Sequence, residues 1–131
     1  MLKLSLIFII LLLSTACAQN DPNKEITNQE LSDLLSSKKG IVLVDVAEPD
    51  EHSEARLEGA VNVPIMGLKD NFEKEFPNIN KDDEIVLYCY SGMRSAIGVE
   101  KLNELGYTNV KSLVGGISKW KKEGLPVKST E

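Results

Sequence analysis

Residues 84–95 read EIVLYCYSGMRS, and this stretch decides the fold. Glu84–Tyr88 is an apolar run without alternation, which suits a strand covered on both faces of a parallel sheet. Cys89 follows at once, and a helix capped by Ser95 is predicted through Leu105. Ile97, Leu102 and Leu105 are expected to face inward, with Gly106 ending the helix. Cys89 therefore lies where a strand stops and a helix begins, the place where open α/β sheets gather ligands.

The same alternation repeats on either side. Thr27 and Glu30 form a T-x-x-E capping box before Leu31, Leu34 and Leu35, which predicts a helix over 28–36 closed by Lys38, Lys39 and Gly40. Ile41–Val46 (IVLVDV) is a second buried strand, and Pro49 opens a short helical turn with acidic residues at its front. Ala60–Val63 is a short strand stopped by Pro64, and Leu68, Phe72 and Phe76 mark a helix ending before Pro77. Val110–Val114 is a strand, Gly115-Gly116 a turn, and Ile117–Glu123 a last helix stopped by Gly124 and Pro126. Strands that alternate with helices predict a small α/β domain with a parallel sheet.

Composition narrows the functions. The chain has 131 residues, enough for one domain, and 15 Lys+Arg against 20 Asp+Glu give a net charge of −5. No basic field for nucleic acid exists, so no nucleic-acid partner is expected. The two cysteines, Cys17 and Cys89, are too few for a disulfide scaffold and too far apart for a C-x-x-C zinc or redox motif. Neither a metal site nor a cofactor is called for, and the domain is expected to act as a monomer.

The N-terminus reads MLKLSLIFIILLLSTA, followed by Cys17. One Lys, the apolar stretch Leu4–Leu13 and the small residues Ser14, Thr15 and Ala16 match a secretory signal and are short for a spanning helix. The cysteine directly after them resembles the lipobox of bacterial lipoproteins, although Ser14 stands where that family usually has Leu. That resemblance implies a diacylglycerol thioether on Cys17, cleavage before it, and a protein held by lipid on the bacterial envelope, on its periplasmic or extracellular side. Plain secretion and an uncleaved anchor are the alternatives. The expected organisation is a signal peptide over 1–16, lipidated Cys17 with a polar tether over 17–25, a domain over 26–128 and a tail over 129–131. With Cys17 lipidated, Cys89 is the sole thiol left, in a compartment where free thiols tend to oxidise.

Physical chemistry gives such a thiol a task. The loop Tyr90-Ser91-Gly92-Met93-Arg94 can turn its backbone N–H groups inward, with a helix N-terminus behind it, and Gly92 permits the tight path. Those N–H groups would depress the thiol pKa and raise the thiolate fraction. Arg94 adds a planar cation suited to an anionic partner. The hydroxyls of Ser91 and Ser95 can donate to the same charge, with Ser95 equally suited to capping the helix. Met93 and Tyr90 are placed at the mouth, where Tyr90 either packs or touches substrate.

Three stretches, CYSGMRS (89–95), GAVNVP (59–64) and GGISKW (115–120), together resemble the single-domain rhodaneses, a thiosulfate sulfurtransferase family, from about Ile26 to Val127. The resemblance implies a parallel five-stranded sheet flanked by helices on both faces. It implies that Cys89 cycles between thiolate and persulfide, taking sulfur from a small sulfur-containing anion or a persulfide donor and passing it to a thiol or cyanide. Backbone N–H groups of Tyr90–Ser95 would hold the persulfide, Arg94 would orient the donor, and Asp45 would support the loop by hydrogen bonding. The alternative is a low-turnover persulfide carrier or anion-binding module that acts with a protein partner.

Four residues separate Cys89 from Arg94, whereas phosphatases with a related loop have five, a larger cradle for phosphate. The shorter loop fits a sulfur-bearing anion or persulfide. The chain departs from the family at Asp45-Val46-Ala47, where D-V-R is usual, and at Ala55-Arg56-Leu57, where G-H-I is usual. Ala47 removes a basic group, and Arg56 either compensates or belongs to the solvated surface. His52 is read as structural or exposed, Trp120 as core, and Lys119, Lys121 and Lys122 as a solvated face or a contact with anionic lipid.

Overall fold

The computed structural model describes residues 21–37 and 40–130. The apolar leader, Cys17, and the closing Lys38 and Lys39 lie outside the described residues. Among the described residues, no helix is long and apolar enough to cross a membrane.

Five strands form one parallel sheet: β1 (Glu25–Ile26), β2 (Val42–Asp45), β3 (Val61–Asn62), β4 (Ile85–Tyr88) and β5 (Val110–Leu113), in the order β1-β5-β4-β2-β3. The helices are α1 (Asn28–Ser36), α2 (Pro49–Glu54), α3 (Leu68–Glu75), α4 (Met93–Glu104) and α5 (Gly116–Lys122). A 3₁₀ turn, Ile65–Gly67, leads into α3. The α/β parallel architecture expected from the sequence is the one observed. The residue pattern yields only four strands, because β1 is two residues long and carries no periodicity. Its register against Ser112 and Leu113 makes it a strand.

Alternation within the central strands divides the core. Val44 and Leu87 point to one side, where they meet Leu68 and Phe72 of α3 and Val99 and Leu102 of α4. Leu43, Val86 and Tyr88 point to the other, against Leu31 of α1 and Ile117 and Trp120 of α5. Each fully buried Leu, Ile or Val contributes roughly 1.5–3 kcal/mol, which fixes β4 between two packed layers. The T-x-x-E capping box of α1 forms as predicted, with Glu30 N–H on Thr27 Oγ1 and Thr27 N–H on Glu30.

Two local expectations are corrected around α4. The helix begins at Met93 with Gly92 as its cap, so Ser95 lies inside the first turn and is not the cap. Ile97 is 54% exposed rather than inward-facing, because Gly98 takes the position against the sheet. A Cβ on Gly98 would lie 2.8 Å from Leu87 Cδ1, so a larger residue there would push the Leu87 side chain aside. The C-terminal end follows prediction: Gly106 takes φ +93°, and the N–H of Tyr107 and of Gly106 bond to the carbonyls of Leu102 and Asn103.

Candidate active site

The fold delivers Cys89 from the C-terminal end of the central strand into a loop closed by α4. The residue is 1% exposed overall, yet it lines an open cleft of about 340 Å³. Gly92 N–H donates to Cys89 Sγ at 3.1 Å, and Ser95 Oγ lies 3.7 Å from the same sulfur. Gly92 reaches this position with φ +97°, and any Cβ there would crowd Leu113 O and Gly115 N at 3.3 Å. Burial pushes the thiol pKa up, but the backbone N–H and hydroxyl of Ser95 and the N–H groups of Gly92 and Ser91 outweigh it. The net direction is below the ordinary thiol value.

The loop is held from behind. Its carbonyls at Cys89 and Tyr90 accept the N–H groups of Ile117 and Ser118, at 2.9 and 3.0 Å, from the start of α5. Gly116 sits so close that a Cβ would lie 2.4 Å from Tyr90 O and 2.5 Å from Cys89 O. With its carbonyls directed into α5, the loop leaves its N–H groups for the sulfur. The Gly115-Gly116 pair, read in sequence as a turn and as the start of the GGISKW stretch, thus backs the cysteine loop.

A second buried hydroxyl was not visible in the sequence. Ser112 Oγ, from β5, lies 2.7 Å from Ser95 Oγ, and both residues are buried. The one available signal is a serine inside a short β-strand stretch, Val110–Leu113.

The structure gives Arg94 and Asp45 partners that the sequence did not foresee. Expected to meet a donor's anionic end, Arg94 donates through Nη1 and Nη2 to both carboxylate oxygens of Glu51, at 2.7 and 2.8 Å. The hydrogen bonds from Arg94 hold the Glu51 carboxyl down at about 2, and Glu51 in turn raises the guanidinium pKa. Asp45, expected to brace the cysteine loop, instead accepts the N–H of Ala47 and pairs with His52 Nδ1, both at 2.9 Å. Its side chain therefore steadies the turn into α2, a correction caused by the short reach of an Asp at a strand end. His52 is the partner of Asp45 rather than a free surface group.

Tyr90 is exposed and lines the cleft, Met93 stands exposed on the first turn of α4, and Ser91 lies exposed in the loop. Ala47, Glu54 and Lys121 line the cleft as well. Lys121 remains exposed, as expected of a solvated face, and also borders the cleft. Arg56 does not compensate for Ala47: it bonds to His52 O and Thr130 Oγ1 and pairs its backbone with Lys128.

A cysteine at the end of a central parallel strand, facing the N–H groups of Ser91, Gly92 and Ser95, matches a known pattern. The Rhodanese-like domain model matches residues 27–123. The chain belongs to the rhodanese-like family. This rhodanese-like domain is 38% identical over 94 residues to thiosulfate sulfurtransferase 16, chloroplastic, of Arabidopsis thaliana, covering 66% of this chain and 78% of that protein. It is 36% identical over 107 residues to a sulfurtransferase of Allochromatium vinosum, covering 82% of this chain and 96% of the other. A crystal structure of a rhodanese-related protein from Thermoplasma volcanium superposes with a TM-score of 0.69 at 29% identity, covering 82% of this chain and 99% of that one. Its named relatives are thus sulfurtransferases, and the fold is theirs.

Proposed function

We propose that the domain is a sulfurtransferase that carries sulfane sulfur as a persulfide on Cys89. The observation that carries this reading is the Cys89 sulfur held by Gly92 N–H at 3.1 Å beside Ser95, at an open cleft and with a depressed pKa. In the first half-reaction the Cys89 thiolate attacks the outer sulfur of a donor. The sulfur–sulfur bond of the donor breaks, and its electron pair leaves with the remainder, as sulfite from thiosulfate or as a thiolate from an organic persulfide. The N–H groups of Ser91, Gly92 and Ser95 stabilise the charge on the new terminal sulfur. In the second half-reaction a thiol or cyanide takes that sulfur and restores the thiolate. The names of the relatives in Arabidopsis and Allochromatium support transfer of sulfur.

Intact mass spectrometry of the purified domain tests the reading. Treatment with a sulfane donor should add about 32 Da, one sulfur atom, at Cys89, and cyanide or a dithiol should remove it. Cys89→Ser should abolish the gain. A folded protein that acquires sulfur from no donor overturns the proposal. A low-turnover carrier is favoured by the exposed Tyr90, Met93 and Ile97 flanking the loop. It would load stoichiometrically and turn over only with a protein partner, so repeated turnover with small molecules eliminates it.

The cellular address is proposed from the sequence alone: removal of residues 1–16, a lipid on Cys17 and display on the bacterial envelope. Mass spectrometry of the mature protein from its host should show the diacylglycerol thioether on Cys17. An unprocessed N-terminus overturns this assignment.

A further inference from the structure

The charges lining the cleft point to a particular class of donor. Asp45, Glu51 and Glu54 contribute carboxylates to its wall, and Cys89 adds a thiolate when reactive. Against them stand Lys121, which forms no ion pair among the described residues, and Arg94, held in two hydrogen bonds by Glu51. His52 faces Asp45 from α2, and at the position before Glu48 the chain has Ala47. A small inorganic dianion would thus approach a thiolate past three carboxylates, with the Arg94 guanidinium already occupied. Like charges brought together in this way slow association and cost affinity.

An organic donor meets a different surface. The cleft, about 340 Å³, falls within the range of small-molecule sites and has room for more than a four-oxygen-sized anion. Its wall offers a carboxylate at Glu54 and an ammonium at Lys121, so a ligand carrying both an ammonium and a carboxylate finds a partner for each.

We propose that the cleft takes sulfur from an amino-acid or peptide persulfide in preference to thiosulfate, and that Glu51 sets this choice by holding Arg94. This deepens the sulfurtransferase reading and rests on it. The step is Cys89–S⁻ + R–S–SH → Cys89–S–SH + R–S⁻. The thiolate electron pair forms the new sulfur–sulfur bond, the pair of the broken bond leaves on R–S⁻, and the proton stays on the transferred sulfur.

The test compares the rates at which Cys89 gains sulfur from cysteine persulfide and from thiosulfate. Wild-type protein should load from cysteine persulfide at least about tenfold faster, a preference of the size that electrostatic complementarity confers. Thiosulfate loading should quicken as salt rises from about 0.01 to 0.15 M, where the screening length falls from about 30 to about 8 Å. Glu51→Gln should raise thiosulfate loading several-fold relative to cysteine persulfide loading, and Glu54→Gln should shift the ratio the same way by less. The salt measurement needs no variant, so a misfolded Glu51→Gln protein does not protect the idea. Thiosulfate loading as fast as cysteine persulfide, or slowed by salt, overturns the donor assignment while leaving sulfur transfer intact. Failure to load from either donor removes the sulfur-transfer reading and this inference with it.

Discussion

Ser95 Oγ and Ser112 Oγ share a hydrogen bond of 2.7 Å beneath the Cys89 sulfur. A hydroxyl has one proton to give and two lone pairs to receive with. When Ser112 donates to Ser95, the Ser95 proton is left for Cys89 Sγ or for Gly92 O, which lies 3.1 Å away. Ser112 thus acts on the thiolate through Ser95. Ser95→Ala should raise the Cys89 pKa, and Ser112→Ala should raise it by less. The double variant should match Ser95→Ala, since the two act in series. The pH dependence of Cys89 alkylation reads all three, and additive shifts would contradict the arrangement.

Gly116 is the most demanding glycine of the site. An added methyl would press on the carbonyls of Tyr90 and Cys89, which are backbone atoms without freedom to retreat, at a φ of +59°. Gly116→Ala should destabilise the domain by roughly 2–4 kcal/mol and slow sulfur loading together. Gly59→Ala, at φ +82° with open space around it, should cost only about 1 kcal/mol and leave loading intact. Urea unfolding of both variants checks the contrast.

The Arg94–Glu51 pair makes stability depend on acid. The folded Glu51 carboxyl is lowered from 4.5 to about 2, chiefly by its hydrogen bonds to Arg94. A depressed folded pKa means that this stabilisation is complete above about 4.5 and is lost as pH falls toward 2. Glu51→Gln should therefore lower stability most at pH 7 to 8, where the ion pair is fully formed, and flatten the fall in stability across that window. Denaturant titrations at a series of pH values measure it, and parallel curves for the two proteins would refute the assignment.

Tyr88 supplies a hydroxyl to the buried N–H of Leu57, at 3.0 Å. Burial drives its phenol pKa well above the ordinary value, so it stays protonated. Tyr88→Phe strands that N–H and should cost about 1–3 kcal/mol of unfolding free energy. Cys89 reactivity should be unchanged, because the Tyr88 side chain lies in the core layer against α1 and α5 while the cysteine faces the other.

Much of the fold was legible because its signals are local. The T-x-x-E box, the unalternating run Glu84–Tyr88 and Gly106 each act within one element, through hydrogen bonds or periodicity spanning a few residues. Ile97 escaped that logic: helical spacing cannot tell which of two neighbouring faces the sheet will take, and the close approach at Gly98 decided it. Glu25–Ile26 escaped because a two-residue strand exists only through its partner.

The sequence by itself determined the nucleophile, the Tyr90–Arg94 loop that follows it and the strand-to-helix junction that presents it, since all lie within Glu84–Leu105 and obey short-range rules. Tertiary structure alone decided which groups surround that sulfur. Ser112, Glu51, Gly116 and Lys121 come from three other elements, β5, α2 and α5, and their meeting at Cys89 depends on strand order and helix packing. A charge or hydroxyl carries no mark in sequence of the distant partner it will face, because Coulomb and hydrogen-bond energies depend on separation in space, not along the chain.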